Sequence, residues 1–338
     1  MSAPSVLVVP VGDPAGVGPE VAARAAAELC GQAAIALVGD ARRLDARLRE
    51  LGVVPTLLPA DAAITLARGS VGVVDAGAID DAVVSAHAPT RAGGAAQLAA
   101  LDLAVRAVQD GRAHAVVTGP TSKAAITLTG AAFVGQTEHL ARAAGLADDD
   151  VTMLFLGPRL RVALATTHVA VRDLPRAVTA ARIERAIAHL AEALAALGVD
   201  RPRIVCASFN PHAGEGGLFG DEDTRVVSPA VRAAAAREPF SDGRASLVGP
   251  RPAEAAFRDA VSGRADAVVA MFHDQATIAS KLVDWGQAVN VTWGLPFLRT
   301  SVDHGVAYDA AARAAAEPDG MRAAIRMALG LLAGGATP

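Results

Sequence analysis

The chain has 338 residues, 52% hydrophobic and 3% aromatic, so it is long enough for two domains with cores of Ala, Val and Leu rather than large rings. A net charge of −4 without a basic tract excludes a nucleic-acid footprint, and no stretch reaches the roughly 18 consecutive apolar residues of a membrane span. Cys30 and Cys206 lie in apolar surroundings as small core residues of a reducing compartment, and the N-terminus lacks the basic n-region of a signal peptide, so the cytoplasm is the expected location.

The first apolar run, Ser5–Val11, reads as a strand leading through Gly12-Asp13-Pro14-Ala15-Gly16-Val17-Gly18-Pro19-Glu20 into a helix over Val21–Leu29. That turn admits two readings. Glycines and a helix N-terminus suit a phosphate, yet the spacing matches neither G-x-G-x-x-G nor the Walker pattern, which leaves a structural turn equally open. Strands follow at Ala34–Val38, Val71–Val74 and Ala115–Thr118, with a helix over Gly94–Gln109 before the last. The turn Thr118-Gly119-Pro120-Thr121-Ser122-Lys123 is not a Walker loop either, although its Lys can reach an anion. Further strands are expected at Val151–Leu156, Arg161–Thr166, Arg203–Ala207 and Ala267–Phe272, and helices at Thr179–Leu197 and Arg322–Leu332. Buried strands alternating with amphipathic helices predict an α/β fold with mainly parallel sheets and helices on both faces. The lead-ins Gly111–Val117 and Gly263–Val269 echo each other as similar helix-to-strand junctions, not as a repeat.

Residue usage marks the functional stretches. Lys123 and Lys281 are the two lysines among 31 basic residues, and Asn210 and Asn290 are the two asparagines. Arg and Lys are poor substitutes where a compact ammonium must meet a particular oxygen, so lysines kept in an Arg-rich chain point to function. All four lie in polar, Gly- and Pro-punctuated segments after apolar runs, where α/β proteins carry their chemistry. His168, His212 and His273 each follow a predicted strand. Strand carboxyl ends converge on one edge of a parallel sheet, and three imidazoles delivered there make a metal site with open positions, the pattern of a catalytic ion. His87, His114, His139 and His189 lack that placement. The segment from His273 to His304 adds Asp274, Gln275, Lys281, Asn290, Arg299, Thr300, Ser301 and Asp303. Lys, Asn and Arg there suit a phosphate, with an internal Arg299–Asp303 ion pair as the other reading.

Read together, Gly12–Glu20, Gly135-Gln136-Thr137-Glu138, Ala165-Thr166-Thr167-His168, Asn210–Gly217, His273-Asp274-Gln275 and Gly294–Gly305 resemble the 4-hydroxythreonine-4-phosphate dehydrogenase family. The resemblance runs through almost the whole chain in order. It implies two α/β/α domains with a cleft between them, as in the isocitrate and isopropylmalate dehydrogenases, the first from 1–128 with 265–338 and the second from 129–264. It also implies a homodimer whose partner subunit completes the active site. Carried over by position, His168, His212 and His273 are the divalent-metal ligands, one of them from the neighbouring subunit. Lys281, Asn290 and Arg299 meet the substrate phosphate, and Thr137 touches substrate. Glu254 is an acidic residue near the site, and His304-Gly305 matches the turn that touches the dinucleotide. Asp274 is a candidate proton acceptor or a partner of His273.

The chain departs from the family at Gln136, where the pattern Gly-His-Thr-Glu places a substrate-touching His, and at Ser122, where His or Asn is frequent. The activity implied is NAD-dependent, metal-assisted oxidation of 4-phosphooxy-L-threonine in vitamin B6 synthesis, with NADP as the other carrier. Zinc is the expected ion, with magnesium, manganese and cobalt as alternatives. Gln136 makes 4-phospho-D-threonate or 4-phospho-D-erythronate the rival substrate. An aromatic dihydrodiol dicarboxylate is disfavoured because it leaves the phosphate set without a purpose. A non-catalytic metal- and phosphate-binding protein is disfavoured by the complete residue set.

Overall fold

The computed structural model describes residues 5–335, which divide into two compact units. The first takes the chain up to Asp148 and again over Leu295–Leu332, and the second is built on Asp149–Gly294. In chain order the first unit contributes β1 (Val6–Pro10), β2 (Ala34–Gly39), β3 (Thr56–Leu58), β4 (Val71–Asp75) and β5 (Ala115–Thr118). The second contributes β6 (Thr152–Leu156), β7 (Arg161–Leu164), β8 (Arg203–Ala207), β9 (Ser246–Arg251), β10 (Ala267–Ala270) and β11 (Val289–Trp293), and the chain returns to the first with β12 (Leu298–Ser301).

The strand order in the first unit is β3-β4-β2-β1-β5-β12, with every pairing parallel. β1 and β2 are buried along their whole length, which is why they read as continuous apolar runs. The helix Gly18–Leu29 buries Val21, Ala22, Ala25, Ala26 and Leu29, and the helix Arg91–Gln109 buries Leu101, Ala104 and Val105. Thr90 caps the latter by accepting from Gly93 N, so it begins three residues before the expected Gly94.

In the second unit the order is β11-β6-β7-β10-β8-β9. The β11-β6 and β6-β7 pairs are antiparallel and the rest parallel. Phe155, Leu160, Val162, Leu164, Val268 and Ala276 form part of one buried cluster of this unit. The helix Ala180–Ala196, capped by Thr179, buries Ile183, Ile187, Leu190 and Leu194.

The units change over at 148 and 294, not at the expected 128 and 264, for two local reasons. The helix Gln136–Ala143 is tied into the first unit, where Gln136 Nε2 donates to Gly119 O at 2.9 Å and His139 Nε2 meets Asp102 Oδ1 at 2.7 Å. β10 lies between β7 and β8, which fixes it in the second unit. Cys30 and Cys206 are free thiols, and complete burial pushes the Cys206 thiol well above its ordinary range. No described helix is long and apolar enough to cross a membrane.

Candidate active site

In the second unit, β7, β10 and β8 are neighbours, so their carboxyl ends lie side by side. His168 follows β7, and His273 opens the helix His273–Val283 after β10. Their rings are 5.5 Å apart between centroids and inclined by 41°. Asp274 Oδ1 lies 2.7 Å from His273 Nδ1. In the neutral ring that contact is a hydrogen bond when the proton sits on Nδ1, and the lone pair is then on Nε2.

His212 follows β8 but takes a different course. It begins five successive residues in the left-handed region, His212 to Gly216, with φ of 52, 56, 79, 43 and 69°. Left-handed backbone costs a non-glycine residue about 1–2 kcal/mol, so the turn needs outside support. Buried Asp223 supplies it, accepting from Phe209 N at 2.7 Å and Asn210 N at 2.8 Å. Glu222 accepts from Asn210 Nδ2 at 2.8 Å, and that bond lowers the Glu222 carboxyl from its ordinary range. Asn210, conspicuous by rarity, thus serves to hold the loop. Among the described residues no three His, Cys, Asp or Glu side chains converge as a metal-holding group. One chain brings together two of the three expected imidazoles and keeps the third on its own turn.

Asp274 and Glu254 line one cavity of about 410 Å³ together with Phe209 and Phe272, which meet edge to face at 6.3 Å. Glu254 is exposed in the first turn of the helix Ala253–Val261. Lys281 lies in the last turn of the helix that starts at His273, and Asn290 lies on β11 opposite Phe155, each half-buried.

The remaining expected residues belong to the first unit. Arg299, on β12, is only 2% exposed. Its Nη2 donates to Thr118 Oγ1 at 2.9 Å and to Gln136 Oε1 at 2.5 Å. Burial pulls its pKa below the ordinary guanidinium range while Glu138 raises it, and it remains a cation at neutral pH. Thr137 is buried beside Gln136 at the start of the same helix. His304 is exposed, with Nδ1 2.9 Å from Gly305 O.

The turn after His304 packs on the Gly12–Glu20 loop. Val17 N donates to Val306 O at 3.0 Å, and a Cβ on Gly16 would fall 2.1 Å from Val306 Cγ1, so only glycine fits there. Buried Asp13 answers the question of what that loop does. Its carboxylate accepts from Ala15 N at 2.9 Å, Gln97 Nε2 at 2.9 Å and Tyr308 Oη at 2.8 Å. Of the loop's own amides the carboxylate takes Ala15 N, while Gly16 N and Val17 N bond backbone carbonyls, so these three are spent on the turn itself. Beside it, at the carboxyl ends of β1, β2 and β4, lies a cavity of about 670 Å³ lined by Gly12, Gly16, Asp40, Arg43, Gly77 and His87 among others. Sequence reading missed Asp40, which caps the helix Ala41–Glu50, Arg43 in its first turn, and Tyr308, which opens the helix Tyr308–Ala312, because no recognised motif joins them.

A match to the family described as "Pyridoxal phosphate biosynthetic protein PdxA" spans residues 31–328. The chain belongs to this family. It is 40% identical to a 4-hydroxythreonine-4-phosphate dehydrogenase of Geobacter metallireducens, over 98% of each chain. It is 36% identical to a D-threonate 4-phosphate dehydrogenase of Pectobacterium atrosepticum, over 96% of this chain and 99% of that one. The crystal structure of a 4-hydroxythreonine-4-phosphate dehydrogenase from Burkholderia phymatum superposes with a TM-score of 0.78 at 33% identity, covering 98% and 99% of the two chains. The α/β fold with largely parallel sheets is therefore the family's own.

Proposed function

We propose that the protein is a cytoplasmic, divalent-metal- and NAD-dependent dehydrogenase of vitamin B6 synthesis. Its reaction oxidises the secondary alcohol of 4-phosphooxy-L-threonine and releases the carboxylate as carbon dioxide, giving 3-amino-2-oxopropyl phosphate. The observation that carries this reading is the 40% identity over nearly the whole of both chains to a relative of that name.

The residues of the second unit fit a divalent ion. Asp274 holds the Nδ1 side of His273, and the His168 ring stands beside it. Held by His168, His212 and His273, such an ion supplies Lewis acidity toward the hydroxyl being oxidised and the carbonyl that replaces it. Imidazoles suit zinc, with manganese, cobalt or magnesium as substitutes. Two imidazoles together and one apart in each chain support a homodimer in which the sets are shared. An apolar stripe supports the same pairing. Ile278 and Leu282 are 61% and 81% exposed on the helix that begins at His273, and Trp285 just beyond it is 79% exposed.

The cavity of about 670 Å³ in the first unit supports NAD, or NADP, as the hydride acceptor. It lies at the carboxyl edge of parallel strands, has glycine backbone on its walls, and adjoins the loop against which the turn after His304-Gly305 packs. Arg299, Lys281 and Asn290 take up the substrate phosphate, and this remote grip orients the reacting carbon. Thr137 is a substrate contact. Asp274, which meets His273, is the candidate acceptor of the hydroxyl proton or the partner that orients His273, and Glu254 is the acidic residue lining the same cavity.

The 36% identity to a D-threonate 4-phosphate dehydrogenase supports a second substrate, 4-phospho-D-threonate. The deciding experiment follows NAD reduction by metal-supplemented protein with both compounds in parallel, before and after chelation. Turnover of the amino compound, abolished by chelator and restored by metal, agrees with the first reading. Preference for the hydroxy acid moves the protein to sugar-acid breakdown, and no turnover of either overturns both.

A further inference from the structure

Gln136 stands where the family pattern has a substrate-touching His, so its bonds decide what the exchange means. Its carboxamide is engaged on every side. Nε2 donates to Gly119 O at 2.9 Å and to Thr121 Oγ1 at 3.0 Å, while Oε1 accepts from Arg299 Nη2 at 2.5 Å. The partners fix the amide's orientation, since a carbonyl must face the NH₂ and a guanidinium must face the oxygen. Both N–H donors are used, so Gln136 has no donor to offer a substrate hydroxyl, and its one acceptor, Oε1, is already turned to the Arg299 cation, which a substrate ammonium would have to approach. An imidazole has two ring nitrogens and cannot donate twice and accept once, so this environment is built for a carboxamide.

We propose that Gln136 is a positioning residue that aims the Arg299 guanidinium at the substrate's anionic group and does not itself distinguish substrates. The proposal rests on the reading of Arg299 as a phosphate contact. Gly119 and Thr121 belong to the turn after β5, and Thr118 Oγ1, at the end of β5, takes the other bond from Nη2. Gln136 thus anchors one end of its helix to that turn and holds the guanidinium between the two. On this account the departure from His changes how the cation is held, not which group beside the phosphate is read.

The test compares wild type with Gln136→Met, which keeps the length and removes all three bonds, and with Gln136→His. The KM for 4-phosphooxy-L-threonine and for 4-phospho-D-threonate should rise together by about tenfold, the scale of one charge-assisted hydrogen bond, with the KM for NAD unchanged. The ratio of kcat/KM between the two substrates should stay within about twofold of wild type. Thermal stabilisation by inorganic phosphate should weaken by a similar factor, and this readout needs no turnover. It remains decisive if wild type oxidises neither compound and the functional reading fails. Circular dichroism checks each variant's fold. A shift of about tenfold or more in the substrate ratio, or phosphate affinity equal to wild type in both variants, overturns the proposal.

Discussion

Tyr308 is the single tyrosine of the chain, and its hydroxyl donates to the buried carboxylate of Asp13 at 2.8 Å. Tyr308→Phe removes that donor together with the hydroxyl's contact to Ser122. Asp13, 1% exposed, keeps Gln97 Nε2 and Ala15 N, so it is weakened rather than abandoned. A hydrogen bond to a charged group is worth about 1.5–3 kcal/mol, and two remaining donors place the loss near the lower end. About 1.5 kcal/mol corresponds to a fall of roughly 3–6 °C in the thermal midpoint of a unit this size. In a double-mutant cycle with Asp13→Asn the two changes should be non-additive by about 1 kcal/mol, because they cut the same bond. A spectroscopic readout is independent of stability. Burial foremost, and then the Asp13 carboxylate, push the phenol up to about 12, so its phenolate band should appear later than that of free tyrosine. The sign follows: a phenol with a raised folded pKa contributes stability that is complete below about pH 10 and is lost as the pH climbs from there to about 12. An unchanged midpoint in Tyr308→Phe, additive effects in the cycle, or a phenol titrating at its ordinary value refutes the reasoning.

Three further substitutions probe other parts of the fold. Ala213, at φ 56°, pays for a left-handed backbone, so Ala213→Gly should stabilise by about 0.5–1 kcal/mol after glycine's own entropy is set against the relief; calorimetry showing a lowered midpoint contradicts this. A Cβ on Gly157 would fall 2.1 Å from Asp284 Oδ2, the atom that accepts from Leu160 N at 2.9 Å. Gly157→Ala should therefore cost about 2–3 kcal/mol by displacing a buried carboxylate from its donors, readable as a lower unfolding midpoint. His189 is held by Thr152 Oγ1 at 2.8 Å, and burial lowers its pKa from 6.5. The unfolded state then takes up the proton first, so this part of the stability is complete above pH 6.5 and falls as the solution becomes more acid. His189→Gln should flatten the fall in unfolding midpoint between neutral and mildly acid pH, and an identical slope in both proteins would count against the assignment.

The strands that were legible in sequence were those buried on both faces, such as β1, β2, β5 and β8. β11 and β12 escaped because Asn290, Thr292, Arg299, Thr300 and Ser301 interrupt their apolar pattern, although Thr292, Arg299, Thr300 and Ser301 are buried. Polar side chains can fill buried strand positions when each finds a partner, as Arg299 does with Thr118 and Gln136. His168 and His273, after β7 and β10, lie side by side because neighbouring strand ends in a parallel sheet leave little choice. The course of the chain at His212 was not legible, because period and propensity do not encode five successive left-handed residues. Gln136 was visible as a departure from pattern. Its partners lie at 119 and 121 in one turn and at 299 far along the chain, so its work could be read only in the fold.

The ends of the strand orders carry a consequence for how the protein behaves when concentrated. An outermost strand offers unpaired amides and carbonyls to any passing chain, and long apolar edges invite stacking into aggregates. In the first unit β3 is three residues long, so even with Leu57 55% exposed it offers a template too short to hold a foreign strand. In the second unit β9 carries Pro250, which has no N–H to give, next to Gly249 with its backbone at φ 138°. Val248 is 53% exposed on that strand, yet the hydrogen-bond ladder that would exploit it is broken two residues later. Short length guards the outer strand β3 of the first unit, and a missing donor guards the outer strand β9 of the second.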